Sequence, residues 1–305
     1  MSYHVPALAD AVRAWAAGAE RAVDATVGGG GHAELLREAG ATVLAADRDP
    51  EAVAAAQARL GSTGIRYVAG AFASAHVLDA VRAFRPDRIL LDLGVSSRQL
   101  DATERGFTFR PGAPLDMRME AGRAAVTAAD VLNTWPADRL ARAFVEQGDE
   151  RPAAARRLGN EIVRRRGRAP FATSDDFVNA IRAVLGARSG PADFARLFQA
   201  IRMVVNQELE QLTAALPELR DALVPRGRLA VISYHSGEDR IVKHAFREWA
   251  RKCVCPPRQP VCTCRGRPLG RVLTPKALRP PADEVLANPR ARSARFRVFE
   301  VSDVA

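Results

Sequence analysis

No window of this sequence holds the roughly eighteen uninterrupted apolar residues that a helix needs to cross a bilayer, which argues against a helical membrane span. The opening segment, MSYHVPALAD, lacks a basic start, an apolar run and a small-residue cleavage site, so no secretory leader is expected and a cytoplasmic protein is. Internal repeats are missing too, which argues against a repeat architecture. Acids are in deficit: 35 against 45 lysines and arginines leave a net charge of +10. Most of the excess base is arginine, whose planar fork suits phosphate better than an ammonium does, and a polyanionic partner is expected. A high-GC genome rich in Ala and Arg codons is the alternative source of the charge. Apolar residues, by contrast, make up 48% of the 305, enough for one large domain or two of ordinary size.

The first hundred residues alternate apolar runs with amphipathic segments. RAVDAT, TVLAAD, IRYVAG and DRILLDLG read as strands. Between them, HAELLREAG reads as a helix closed by Gly40, DPEAVAAAQARLG as one with Asp49 at its N-cap, Pro50 in its first turn and Gly61 at its end, and SAHVLDAVRAF as one capped by Ser74. Continuous apolar strands separated by helices imply a parallel sheet covered on both faces, as in a Rossmann-like α/β fold. From about residue 103 to 205 no strong strand signal occurs, and windows such as PADRLARAFVEQG and TSDDFVNAIRAVLG imply an all-helical insertion. Sheet signals return in RGRLAVISYHS and ARFRVFEV, so residues 1–102 and 206–305 are expected to complete one core around the inserted domain 103–205. The Pro/Arg-rich stretch 256–291 reads as a long surface loop.

The segment RAVDATVGGGGHAELL joins the first strand to the first of these helices through four glycines. Glycines there let the backbone approach a ligand beside the free amides of a helix N-terminus. GGGGHA also fits G-x-G-x-x-A, with Asp47 nineteen residues after Gly28, so on its own the motif suits a dinucleotide equally well. Asp24, directly before the glycines, would repel a pyrophosphate but suits the ammonium of an amino-acid moiety. Asp47 ends the second strand, where ribose hydroxyls are expected, and Phe72 in GAFAS falls beside the expected adenine. Asp92 ends the fourth strand in LLDLGVSS, at the carboxyl edge where such folds bind ligands. S-adenosylmethionine satisfies Asp24, Asp47, Phe72 and Asp92 together. Turn capping by the acids, core packing by Phe72 and a plain loop role for His32 are the alternatives, position by position.

With DATVGGGGHAELL, ADRDPEAV, GAFAS and LLDLGVSSRQLD, and further on ERGFTFRPGAPLDMRME, FQAIRMVVNQELEQL, GRLAVISYHSGEDRIVK and NPRARSARFRV, the sequence closely resembles the RsmH (MraW) family. These are bacterial N4-methyltransferases of a cytidine in the decoding region of 16S ribosomal RNA. The resemblance runs from His4 to about Val298. It implies a class I S-adenosylmethionine-dependent methyltransferase core with an inserted substrate-recognition domain, 16S rRNA of the small subunit as partner, and cofactor contacts at Gly30, Gly31, His32, Asp47, Phe72, Asp92 and Gln99. A homodimer is left open. Ala11 and Gly237 depart from the family pattern, the latter leaving open how tightly its loop packs.

Such a reaction needs acceptors held against the hydrogens of a poorly nucleophilic amine, and Asp92 with the carbonyls of Leu93 and Gly94 are the candidates. DLGV lacks the Pro-Pro pair that commonly follows the acid in related amino-group methyltransferases, so the carbonyl geometry must arise otherwise. His235 is a second candidate, to accept the released proton or orient the base, with a structural role as the alternative. A duplexed base hides its amine, so the target must be single-stranded or extruded. Phe107, Phe109 and Tyr234 are candidate stacking platforms, with core packing as the alternative, and Arg105, Arg110 and Arg118 suit flanking phosphates. RPAAARRLGNEIVRRRGR carries seven arginines against one acid, a basic stripe for RNA backbone or simply a solvated helix face.

All four cysteines fall in CVCPPRQPVCTC, at Cys253, Cys255, Cys262 and Cys264. Two C-x-C pairs suit a thiolate zinc site less well than paired C-x-x-C, and reduced thiols or a labile disulfide are the alternatives. The sequence thus leads to an RNA methyltransferase. A methyltransferase of DNA or a small molecule, a non-catalytic ribosome-assembly factor that keeps the cofactor fold, and, last, an NAD dehydrogenase are its rivals.

Overall fold

The structure, a computed structural model, describes residues 6–120, 126–256, 258, 259 and 261–303, so His4, where the family resemblance begins, lies outside the described residues. Among the described residues the first element is helix α1 (Ala9–Ala16), which the sequence did not lead us to expect, and the order then alternates as expected: β1 (Arg21–Asp24), α2 (Gly31–Glu38), β2 (Thr42–Asp47), α3 (Pro50–Leu60), β3 (Ile65–Ala69), α4 (Ala75–Phe84) and β4 (Arg88–Asp92). Helix α3 starts for the reason read from its sequence, because the Asp49 carboxylate accepts the Glu51 amide at 3.1 Å. Ser74 precedes α4 but does not cap it; its hydroxyl donates instead to the Ala71 carbonyl at 2.7 Å.

The next segment is helical: α5 (Ser97–Asp101), α6 (Ala128–Thr134), α7 (Ala137–Glu146), α8 (Pro152–Arg166), α9 (Ser174–Leu185) and α10 (Pro191–Val205). The chain then returns through α11 (Glu208–Asp221), β5 (Arg228–Ser233), α12 (Ser236–Trp249), β6 (Gly270–Val272), α13 (Ala282–Ala287) and β7 (Arg295–Val301). Stretch 256–291, expected as a loop, thus holds a strand and a helix. Strand β6 spans only three residues and shows no alternation of its own. It forms by pairing antiparallel with β7, where Glu300 ties Arg271 of β6 (2.7 Å) to Arg228 of β5 (2.9 Å).

The described residues divide into two compact units, Met1–Gly94 with Leu209–Ala305, and Val95–Glu208. The junctions fall at Gly94/Val95 and Glu208/Leu209 rather than at 102/103 and 205/206, because Val95 and Leu100 pack on the helical unit's core.

In the first unit the strand order is β3-β2-β1-β4-β5-β7-β6, parallel from β3 through β5 and antiparallel at β7 and β6. Alternate residues feed two cores. Ala22, Val43, Ala45, Leu90 and Ile232 meet α1, α2 and α3, while Val23, Leu44, Ile89, Leu91 and Val231 meet α4, α11 and α12. Helix α12 is tied to β7 by Asp239, whose carboxylate accepts from Arg297 at 2.6 Å and Arg295 at 3.0 Å. The second unit has its own core, in which the Phe144 ring stacks on Phe177 at 6.0 Å and Phe177 meets Phe198 at 4.9 Å. Among the described residues no helix is long and apolar enough to cross a membrane.

Candidate active site

The period of two along each strand decides where the carboxylates go. In the sheet register Asp24 lies opposite Ala45 of β2 and Leu90 of β4. Asp47 and Asp92 sit two residues further along those strands, so all three acids share the face that α1, α2 and α3 cover. They stand at the carboxyl ends of three adjacent parallel strands, where an open α/β sheet binds its ligands.

Asp24 is fully buried; one carboxylate oxygen accepts the Thr26 amide at 3.1 Å, and the other, Oδ2, meets no hydrogen-bond donor among the described residues. Burial pushes its carboxyl up to about 7, against the pull of the His32 charge and the Thr26 amide, with Asp92 and Asp47 adding to the rise. Asp47 is better served. Its two oxygens accept the amides of Gly28 at 2.8 Å and Asp49 at 2.9 Å, which pins the glycine turn to the end of β2. Burial nevertheless holds Asp47 up at about 6, the two amides opposing.

The glycines prove to serve protein packing as well as any ligand. Gly30 sits at φ 85°, and a Cβ there would come within 2.8 Å of Leu60, while one on Gly31 would meet Pro6 at 3.2 Å. Arg59 of α3 donates to the Gly29 carbonyl at 3.1 Å and pairs with Glu34, holding the turn from outside. Gly30 brings no side chain to cap α2, which leaves the first amides of that helix to be satisfied by something else.

Asp92 is oriented from both its backbone and its side chain. Its backbone amide donates to the Thr26 hydroxyl at 2.7 Å, and its Oδ1 accepts the Tyr234 hydroxyl at 2.9 Å. Its Oδ2 faces Nδ1 of buried His32 at 3.5 Å, beyond the usual range of a hydrogen bond. The other ring nitrogen of His32, Nε2, lies 2.9 Å from the Ala7 carbonyl, which can only accept, so Nε2 carries the hydrogen. Burial raises the Asp92 carboxyl, with His32 and the Tyr234 hydroxyl pulling it back. Burial and the Asp92 charge push Tyr234 well above the usual phenol range, so its hydroxyl stays a donor.

Tyr234, read as a stacking platform, therefore orients Asp92, and Thr26 and Ala7 join the site without any signal in the sequence. His235, read as a proton acceptor, is the N-cap of α12: its Nδ1 accepts the Gly237 amide at 3.1 Å while Glu238 accepts the Tyr234 and His235 amides at 3.0 Å each. Gly237 answers the packing question left by its departure from the family pattern, since a Cβ there would lie 3.0 Å from that Nδ1. Phe72 is half-buried and packs on the sheet's opposite core.

The remaining candidates lie in the helical unit. Gln99 is buried and closes a capping box with Ser96, accepting that residue's amide at 3.0 Å. Phe107 belongs to the unit's core, and Phe109 meets Phe194 and Phe198 edge-on at 5.9 and 6.1 Å, so packing accounts for both rings. Arg105 donates to the carbonyls of Arg118 and Met119, and Arg118 clasps Asp116, whereas Arg110 is exposed. Along α8, Glu161 pairs with Arg164 and Arg165, and Arg166 donates to the carbonyls of Leu132 and Trp135. Arg151, Arg156, Arg157 and Arg168 of the stripe are exposed.

A family model described as the MraW methylase family matches residues 1–302 of this chain. A protein of Gemmatimonas aurantiaca named ribosomal RNA small subunit methyltransferase H is 54% identical over 302 residues, covering 98% of this chain and 95% of its own. Proteins of the same name from Heliobacterium modesticaldum, 46% identical over 91% of both chains, and Thermomicrobium roseum, 45% identical over 92% of this chain and 87% of its own, are also similar. With that match running through the glycine turn and all three strand-end acids, the chain belongs to the MraW methylase family.

Proposed function

We propose that this protein transfers a methyl group from S-adenosylmethionine to the exocyclic N4 of a cytidine in 16S rRNA of the small ribosomal subunit. The observation that carries the reading is Asp24: a buried carboxylate oxygen with no hydrogen-bond donor among the described residues, at the carboxyl edge of a methylase-family sheet. An α-ammonium is the cation that fits it, and a dinucleotide has none to offer. Asp47 accepts one amide on each oxygen and keeps a second lone pair on each for ribose hydroxyls. The amides of Gly30, Gly31 and His32 suit the donor's carboxylate, while Phe72, for its adenine, and Gln99 enter by the family resemblance. When bound, the donor supplies a methyl group on a sulfonium, electrophilic without further activation.

The chain's own task is then to prepare the amine. The N4 lone pair of cytosine is delocalised into the ring, and acceptors against both N4 hydrogens favour a pyramidal nitrogen. Asp92, with Oδ1 fixed by Tyr234 and Oδ2 3.5 Å from His32 Nδ1, is one acceptor; the carbonyls of Leu93 and Gly94 are the others. The missing prolines have a substitute here. The Leu93 amide is held by the Ile232 carbonyl at 3.0 Å, and Gly94 takes φ 99°, a setting open to glycine that turns the chain at the strand end. The methylated ammonium is a strong acid and loses its proton readily, so no dedicated base is needed and His235 can remain a helix cap.

The exposed arginines of α8 suit an RNA backbone. Changing Arg156 and Arg157 together to alanine is expected to weaken rRNA binding about tenfold and make the plot of log affinity against log salt shallower by about 1.4, with cofactor affinity unchanged. An unchanged salt slope would move the RNA contact elsewhere. The activity itself is tested by offering labelled S-adenosylmethionine with assembled small subunits, naked rRNA and DNA, then digesting the labelled product. Label recovered as N4-methylcytidine from rRNA is the expected result. Label in DNA alone, or none despite tight cofactor binding, would favour a DNA enzyme or a non-catalytic assembly factor.

A further inference from the structure

Away from the carboxylates, four thiols converge. Cys253, Cys255, Cys262 and Cys264 lie between α12 and β6, are not disulfide-bonded, and bring their sulfurs within 4.8 Å of one another. Cys262 Sγ lies 3.8 Å from Cys253, 3.9 Å from Cys255 and 3.5 Å from Cys264, and Cys253 lies 3.8 Å from Cys264. Zinc–thiolate bonds of about 2.3 Å directed to the corners of a tetrahedron separate the sulfurs by about 3.8 Å. We propose that these four cysteines form an all-thiolate structural zinc site that clasps the excursion between α12 and β6.

Three further observations support the assignment. The first is a lack of regular structure and apolar packing at the tip: between Trp249 and Gly270 the described residues form no helix or strand, Cys253 and Cys262 are exposed, Val261 is 71% exposed, and the side-chain bonds there are the local ones of Gln259 to the Val261 carbonyl at 3.0 Å and the Thr263 hydroxyl at 2.7 Å. Apolar burial does not order this segment, so the thiols meet without the force that usually gathers side chains. The base of the excursion is tied otherwise, by the Leu269 amide on the Trp249 carbonyl at 2.8 Å and by Arg265, which donates to the carbonyls of Glu248 at 2.5 Å and Arg251 at 3.3 Å. A metal at the tip would complete the closure.

The second is charge. Four thiolates around a divalent ion leave a net negative centre, and the surrounding segment supplies Arg251, Lys252, Arg258, Arg265 and Arg267 with no acid between Glu248 and Asp283. The third is amide orientation, since the Val254 N–H lies 3.3 Å from Cys264 Sγ and donates to it, the kind of contact that steadies a metal-bound thiolate. The C-x-C spacing, awkward on an extended strand, is accommodated because the chain bends here: the two sulfurs of Cys262 and Cys264 sit 3.5 Å apart.

The test uses the full chain, purified in reductant without chelator. One zinc per chain by elemental analysis is expected, and exchange of that zinc for cobalt(II) is expected to give the visible spectrum of a tetrahedral thiolate site. Cys262→Ser and Cys264→Ser should each lower the retained zinc at least tenfold. Less than a tenth of a zinc per chain with four titratable thiols and no such cobalt spectrum would overturn the proposal. A disulfide among the four, or an octahedral cobalt spectrum, would overturn it equally. The cobalt spectrum of the unmutated protein decides the matter even where a serine variant does not fold.

Discussion

Asp92→Asn is expected to lower kcat for methyl transfer by about 10³-fold, the scale on which a well-placed charged acceptor acts. Asparagine keeps the size of the side chain and an oxygen for the Tyr234 hydroxyl, which bonds Oδ1 at 2.9 Å. It removes the charge that faces His32 at 3.5 Å and replaces one acceptor with an amide donor, which repels an N4 hydrogen instead of receiving it. The loss should fall on kcat beyond any change in cofactor Kd, since an interaction that strengthens as the amine becomes pyramidal belongs to the transition state. The thermal unfolding midpoint should stay close to that of the unmutated protein. Single-turnover transfer to small subunits measures the effect, and near-normal turnover would remove Asp92 from the chemistry.

The second large effect concerns Asp24 and pH. Its carboxyl stands at about 7 in the folded protein against 3.8 for an ordinary aspartate, because burial penalises the charge. The folded free protein therefore keeps this proton between about pH 4 and 7, where the unfolded chain has released it, and this residue's contribution to stability falls as pH rises through that window. A bound ammonium reverses the preference. Below about pH 7 binding must expel the proton, so the Kd for S-adenosylhomocysteine is expected to fall about fivefold from pH 6 to 7. At more alkaline pH affinity should decline again as the ligand's own amine loses its charge. Asp47, held up at about 6, steepens the dependence at the acid end. Asp24→Asn should flatten the rise between pH 6 and 7 and weaken binding at pH 7.5 about 30-fold, the worth of a hydrogen bond to a charged group. Calorimetry in buffers of different ionisation enthalpy reads both the affinity and the expelled proton. A variant with the parent's pH profile would show that Asp24 does not meet the ammonium.

How far the sequence carried this account follows from what each signal physically is. The parallel strands were legible because β1, β2, β4 and β5 are buried on both faces and their apolar runs show it, and α3 because its cap, proline and glycine act locally. Asp24, Asp47 and Asp92 were legible as strand ends, and the period of two puts them on one face. Strand β6 was not legible, since its three residues owe their conformation to β7 rather than to themselves. The roles of Tyr234 and His235 were not legible either. Whether the aromatic ring or its hydroxyl matters depends on a partner 142 residues away, Asp92, and whether an imidazole is a base or a cap depends on a backbone amide two residues on. Phe107 and Phe109 read alike as platform or core, and only the folded helical core that takes them in tells which, in the case of Phe109 through Phe194 and Phe198 of α10. The cysteines were legible as a group but not as a geometry, because four sulfurs converge through bends that no spacing rule encodes.

A crystal structure of the full chain with S-adenosylhomocysteine bears most directly on the claim that the carboxyl edge of this sheet holds the methyl donor. The account predicts the amino-acid ammonium within hydrogen-bond reach of Asp24 Oδ2, the ribose hydroxyls at Asp47 and the sulfur nearest Asp92. The nucleoside bound elsewhere, or bound there with its ammonium turned away from Asp24, would contradict it.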